Sequence, residues 1–165
     1  MSSLDRIAYF QNRRDEAPNQ ALARELADQK DKRGIREIAK NLWNDNPDIQ
    51  SDCLKVLYEV GGLNPSLIAG YADDFLKLLR GKNNRLVWGA MTALAAIADL
   101  KGAELFEHWG DIRQAMETGS VITVDNGVST LARVAATDED RRRTIFPYLL
   151  QHLVSCRPKD GRCRR

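Results

Sequence analysis

A chain of 165 residues, 43% hydrophobic and 29% charged, has the length of one ordinary domain or one short repeat array, and its composition excludes a disordered protein. No apolar run approaches the about 20 residues of a membrane span, and the start "MSSLDRIAYF" lacks the apolar stretch of a signal peptide, so a cytoplasmic protein is expected, with no membrane partner. The net charge of +2 is uneven: residues 1–156 carry 20 basic against 22 acidic side chains and the final "RPKDGRCRR" five against one, so the body is not composed as a nucleic-acid binder.

In chain order, "LDRIAYFQNRR" and "NQALARELADQ" predict two helices of irregular pattern within residues 3–31. "GIREIAKNLWNDN" predicts a third, with Ile38 and Leu42 on one face. From Asn46 onward the chain aligns with itself at a shift of 37 residues, without gaps, in three blocks: Asn46 to Lys82, Asn83 to Gly119 and Ser120 to Cys156. The agreeing columns are apolar: Leu54/Met91/Val128, Leu57/Leu94/Leu131, Val60/Ile97/Val134, Phe75/Ile112/Leu149 and Leu79/Met116/Leu153. Column Cys53/Ala90/Gly127 is uniformly small.

Each block predicts two helices. The first opens at a capping residue, Asn46, Asn83 or Ser120. The second lies in "PSLIAGYADDFLKLLRG", "GAELFEHWGDIRQAMETG" and "TDEDRRRTIFPYLLQHLVSC", with Pro65 near one start and Thr137-Asp138 at another. The third block carries a local conflict. Val121-Ile122-Thr123-Val124 is β-branched, and Asn126-Gly127 is the strongest short hairpin signal. The repeat spacing of three is helical, so a helix from about Ile122 to Ala135 is expected. Gly127→Ala is then expected to be neutral or stabilising, provided the neighbouring helix leaves room for a methyl. The sum is an all-α chain of about nine helices and no strand. Residues 1–156 form one domain, with repeat units over about 35–156, and residues 157–165 are a basic tail expected to be disordered.

A helix pair recurring every 37 residues resembles the HEAT and armadillo class of repeats. Asn83, Leu86, Ala90, Leu94 and Ile97 fit the HEAT pattern, as do Asn46, Ile49, Leu54, Leu57 and Val60, and Pro147 matches the proline often found in the first helix of such a unit. The resemblance covers about Ile35 to Val154. The best-matching register pairs "YADDFLKLLRG" with "NNRLVWGAMTALAAIA", so the helices opening at Asn46, Asn83 and Ser120 are the second helices of the HEAT units, and the resemblance implies an α-α superhelix in which they line a concave face. One departure is that the Arg often found early in the second helix is Gln50, Val87 or Val124 here, so an Asp–Arg ladder is not expected and stacking falls to the apolar columns.

Trp88 stands out, because its column is Ser51/Trp88/Asp125. It either anchors a partner on the concave face or packs on a neighbouring turn. Lys55, Glu59, Thr92, Asp125, Ser129 and Arg133 would share that face, a mixed surface and not a charged groove. Trp109 is expected in the core, Trp43 partly exposed, and His108 as a structural histidine. Cys53 is a packing residue by its column. His152, Cys156 and Cys163 lack the fourth ligand of a structural zinc site. The Arg141–Arg143 triplet after Asp138 reads as a solvated face of a helix start. No phosphate loop, metal-ligand pair or Ser/His/Asp set is present, so neither catalysis, cofactor nor metal is expected.

Two functions compete. One is a non-catalytic module binding a protein or peptide partner on its concave face. The other follows from alkylated-base DNA glycosylases built of HEAT-like repeats, which use a basic groove, tryptophans and a catalytic Asp; Trp88, Trp109 and Asp111 are the corresponding residue types here. The acidic body weighs against it, since phosphate tracking needs clustered Lys and Arg. Weak self-association through the C-terminal helix is also expected: Ile145, Leu149 and Leu153 can pack back on the third block while Phe146 and Leu150 are left outside.

Overall fold

The computed structural model describes residues 1–155, which form nine α-helices with no strand among them. Cys156 and the tail 157–165, with Pro158, Gly161 and Cys163, lie outside the described residues, as do the expectations that rest on them. The count of nine conceals two departures that cancel, one helix fewer at the N-terminus and one more in the middle block.

The first departure is at "LDRIAYFQNRR". Leu4–Arg6 makes a single 3-10 turn, with Ser2 and Asp5 each accepting a hydrogen bond from the other's amide. The next turn stops at Asn12, whose φ is 52°. There the Arg13 amide bonds to Ala8 O and the Asn12 amide to Tyr9 O, the paired bonds of a Schellman ending. Asparagine tolerates the left-handed conformation this ending needs. Ile7 and Ala8 are buried, and residues 8–16 continue as an irregular strap.

Helix α1 (Ala17–Asp28) closes the same way at Lys30, with φ 51°. Asp31 follows at once and caps α2 (Lys32–Lys40), accepting from the amides of Arg33 and Gly34 at 3.0 Å. Three longer helices begin on side-chain caps where the sequence places them: α3 (Pro47–Leu63) on Asn46, α5 (Asn84–Ile97) on Asn83 and α8 (Val121–Ala136) on Ser120. Helix α8 covers the ambiguous segment, with no hairpin at Asn126-Gly127.

Between them, α4 (Ala72–Leu79) starts later than Pro65, after 3-10 turns at Pro65–Leu67 and Ala69–Tyr71. The single helix expected over "GAELFEHWGDIRQAMETG" is two, α6 (Gly102–Glu107) and α7 (Trp109–Thr118). The break is at His108, with φ −111° and ψ 17°; its carbonyl accepts from the Asp111 and Ile112 amides and so opens α7. Helix α9 (Glu139–Ser155) contains Pro147.

One cluster of buried side chains runs from Ile7 to Ile145. Helix α3 packs between α1 and α5, α5 packs on α3, α4 and α8, and α8 packs on α5, α7 and α9. Columns Leu57/Leu94/Leu131 and Val60/Ile97/Val134 are fully buried. Gly127 is buried as well, but Met116 fills the space where its methyl would go, so the room that a favourable Gly127→Ala requires is missing. The last column loosens at the chain's far end. Leu79 and Met116 are buried, but Leu153 is 64% exposed and does not pack back as expected; Phe146 (53%) and Leu150 (48%) are exposed, as expected of the outer face of α9.

Side-chain bonds also link the 3-10 turn Asn41–Trp43, which follows α2, to α4, and the end of α4 to α7. Trp43 Nε1 donates to Asp74 Oδ1 at 3.0 Å, and the Arg80 guanidinium donates to Asp111 Oδ2 at 2.8 Å. The two donors are 37 residues apart, and so are the two acceptors. The bond from Arg80 is the main reason the Asp111 carboxyl titrates below the usual aspartate range; partial burial opposes it, and His108 Nδ1, 3.4 Å from the same oxygen, adds to the lowering. A carboxyl depressed in the folded state adds stability above its unfolded pKa of about 3.9 and loses it as pH falls through the lower folded value. A carbon-detected NMR titration should therefore find Asp111 below about 3.9, and Arg80→Met should move it back up. An unchanged value in the variant would show that Arg80 does not hold the carboxylate.

A candidate partner-binding groove

The strap is fastened to α1 and α3 by side-chain hydrogen bonds, one of them buried. Asn19 of α1 is buried; its Oδ1 accepts the Ala8 amide and its Nδ2 donates to Asp52 Oδ1, both at 2.9 Å. The other Asp52 oxygen accepts the Tyr9 amide at 2.8 Å, and Asn46 Nδ2 donates to the Tyr9 hydroxyl at 2.9 Å. Leaving the buried Asn19 without partners would cost about 1–3 kcal/mol. The register of the strap is thus fixed by side chains on two helices.

At its end Glu16 reaches Lys55 at 2.9 Å. Lys55 also donates to Glu59, one turn along α3, and lies 4.8 Å from the centre of the Tyr58 ring. Its side chain is only 12% exposed. Burial pulls an ammonium down, and here the bonds to Glu59, Glu16 and Tyr58 outweigh it, so Lys55 is held charged above the usual lysine range. Burial likewise raises the Tyr58 hydroxyl, against the pull of Lys55.

Strap, α3 and the start of α5 enclose a groove of about 720 Å³. Tyr58 and Trp88 meet in it with ring centres 5.9 Å apart and planes tilted by 53°. Both rings are half-buried. Arg13, Arg14 and Asp15 of the strap line one side, and Asp48 of α3 and Arg85 of α5 lie at the helix starts.

Of the residues singled out from sequence, Trp88 and Lys55 line this groove. Lys55 is an internal tie between strap and helix. Glu59 holds Lys55, and Thr92 bonds back to the Trp88 carbonyl at 2.8 Å. Asp125, Ser129 and Arg133 lie on α8 outside the groove, with Arg133 3.2 Å from Asp99. Trp109 is half-buried, edge-on to Tyr148 at 5.8 Å, with Arg113 stacked over it. His108 is half-buried too. Asp111 is not among the groove residues, so the structure does not bring it together with Trp88.

The sequence reading missed Tyr58, Arg14 and Arg85. Tyr58 had a signal, since its column is Tyr58/Ala95/Ala132 and it is the one large residue there. Cys53 is buried, and burial, with Asp52 and Glu37 nearby, pushes its thiol up to about 12, which leaves no thiolate for chemistry at neutral pH. Among the described residues no group of three His, Cys, Asp or Glu could hold a metal, and no helix is long and apolar enough to cross a membrane.

The chain matches no protein-family model, no curated protein and no solved structure at a significant level.

Proposed function

We propose that the chain is a HEAT-like helical-repeat module, an α-α superhelix with a 37-residue period, and that it binds a protein or peptide partner without catalysing a reaction. Three spacings support the repeat. The capping residues Asn46, Asn83 and Ser120 recur at 37, the fully buried leucine and valine/isoleucine columns recur at 37, and the Trp43–Asp74 and Arg80–Asp111 bonds are shifted by 37. The last pair is a stacking device of this chain's own, on the short helices and not on the long ones where an Asp–Arg ladder would lie.

The binding reading is carried by the Tyr58–Trp88 pair, two large half-buried rings in a groove of about 720 Å³. Rigid aromatic residues in a recess are what a partner's side chains gain most from. In this reading the partner's path would extend beyond the groove along α5 and α8, past Thr92, Asp125, Ser129 and Arg133.

Trp88→Ala separates anchoring from packing. It should cost about 1 kcal/mol of stability, the worth of one ring contact, and should abolish binding of peptides selected from a random library against the wild type. Urea unfolding and calorimetry measure the two. A stability loss of several kcal/mol, or peptides that bind the variant as well as the wild type, would defeat the reading. A gel-shift titration with duplex DNA across ionic strengths tests the nucleic-acid alternative, which needs a steep salt dependence.

A further inference from the structure

We propose that the groove takes an acidic segment of a partner protein, with an apolar side chain of that segment against Tyr58 and Trp88 and its carboxylates on Arg14 and Arg85. This rests on the groove being the binding site and names the chemistry of what enters it.

Three of the four carboxylates that line the groove are already engaged. Asp15 takes Arg13 at 2.8 Å, Glu16 takes Lys55 at 2.9 Å, and Asp52 accepts from the Tyr9 amide and the Asn19 side chain. The fourth, Asp48, has no side-chain hydrogen bond or ion pair among the described residues and sits in the first turn of α3, where the positive end of the helix partly offsets its charge. The cations divide differently. Arg13 and Lys55 are consumed by those pairs, while the guanidinium groups of Arg14 and Arg85 have no ion-pair or hydrogen-bond partner among the described residues. Both residues are exposed. Over the whole lining four acids (Asp15, Glu16, Asp48 and Asp52) match four bases (Arg13, Arg14, Lys55 and Arg85), but what is left without a side-chain partner among the described residues is two guanidinium groups against one carboxylate, in a body whose net charge is negative.

An arginine fork matches a carboxylate with two parallel hydrogen bonds, so it selects as well as attracts. Rim charges contribute mainly to encounter rate and choice of partner, and buried aromatic contact contributes most of the affinity. The ring pair therefore holds the segment, and the arginines discriminate among segments. A basic segment would meet both arginines as like charges. The strap is what makes the recess two-sided. Had residues 4–14 continued as a helix, Arg14 would not stand beside α3; the Schellman ending at Asn12 turns the chain along it.

A random-peptide library panned against the full chain, with enriched clones synthesised and measured by calorimetry, tests the proposal. The expected clones carry an aromatic or aliphatic residue flanked by Asp or Glu. Their affinity should fall roughly tenfold or more in Arg14→Glu/Arg85→Glu and weaken as salt rises. Arg33→Glu/Arg36→Glu on α2 makes the same charge change outside the groove and should leave binding unchanged. Circular dichroism melting confirms that these exposed substitutions fold. Neutral or basic clones that still need Trp88 would overturn the acidic ligand and leave the binding site standing. Equal losses in both double variants would overturn it too, as a general charge effect. If no clone depends on Trp88, both readings fall.

Discussion

Leu94→Ala is expected to lower the stability of the chain by about 2–5 kcal/mol in urea unfolding, with little change in the slope of the transition. Leu94 is wholly buried near the C-terminal end of α5, the helix that packs on α3, α4 and α8. Removing its isobutyl group forfeits the transfer energy of the buried carbons and leaves a cavity that packed helices on three sides cannot close easily. Domains of this size hold only about 5–15 kcal/mol in all, so the variant should unfold at a much lower denaturant concentration. Leu57 and Leu131 hold the equivalent positions in α3 and α8 and are equally buried. Leu131→Ala should cost less than Leu94→Ala, because the units around α8 and α9 are looser, with Val128 and Leu149 only half-buried. A loss below about 0.5 kcal/mol at Leu94, the range of ordinary surface substitutions, would show that the aligned columns do not mark the core.

The internal alignment made this core legible, and residues off the pattern show where legibility ended. The segment Val121–Gly127 reads as a hairpin by local chemistry alone. The sister segments in α3 and α5 overrule that, because three helices sharing one spacing must bury the same face. Trp88 was visible for the opposite reason, as a large apolar residue in a polar column. The strap was not legible. Leu4, Ile7 and Ala8 have helical spacing, and nothing in the local sequence distinguishes a continuing helix from one ended by Asn12, since the competing bonds come from Asn19 and Asp52, 11 and 43 residues away from the amides they accept. Arg14 reaches the groove only because of that ending. The break at His108 was hidden likewise, in a stretch whose apolar pattern continues through it. The disagreement at the N-terminus coincides with the wall of the recess, and the break at His108 lies away from it.

Gly127→Ala is expected to destabilise the chain by about 1–2 kcal/mol, although replacing glycine inside a helix would by propensity alone stabilise it by about 1 kcal/mol. The opposing effect is steric. A methyl at Gly127 would lie 2.4 Å from Met116 Cγ and 2.7 Å from Met116 Sδ, with Met91 Cε at 3.5 Å behind. Methionine yields more readily than a branched residue, but the contact is at Cγ, close to the backbone of α7, and Met116 is 1% exposed, so the side chain has little room to swing aside. Overpacking costs about 1–3 kcal/mol, and an overlap as close as 2.4 Å belongs to the upper part of that range, about 2–3 kcal/mol, which exceeds the propensity gain. Met116→Ala gives the decisive comparison. Alone it should cost about 2–5 kcal/mol as a cavity. In that background the methyl at position 127 enters vacated space, so the sign should reverse and the second substitution should recover about 1 kcal/mol. The cycle would then show a coupling of about 2–3 kcal/mol between a residue of α7 and one of α8. If Gly127→Ala is equally costly with and without Met116, another contact than this one keeps the position small.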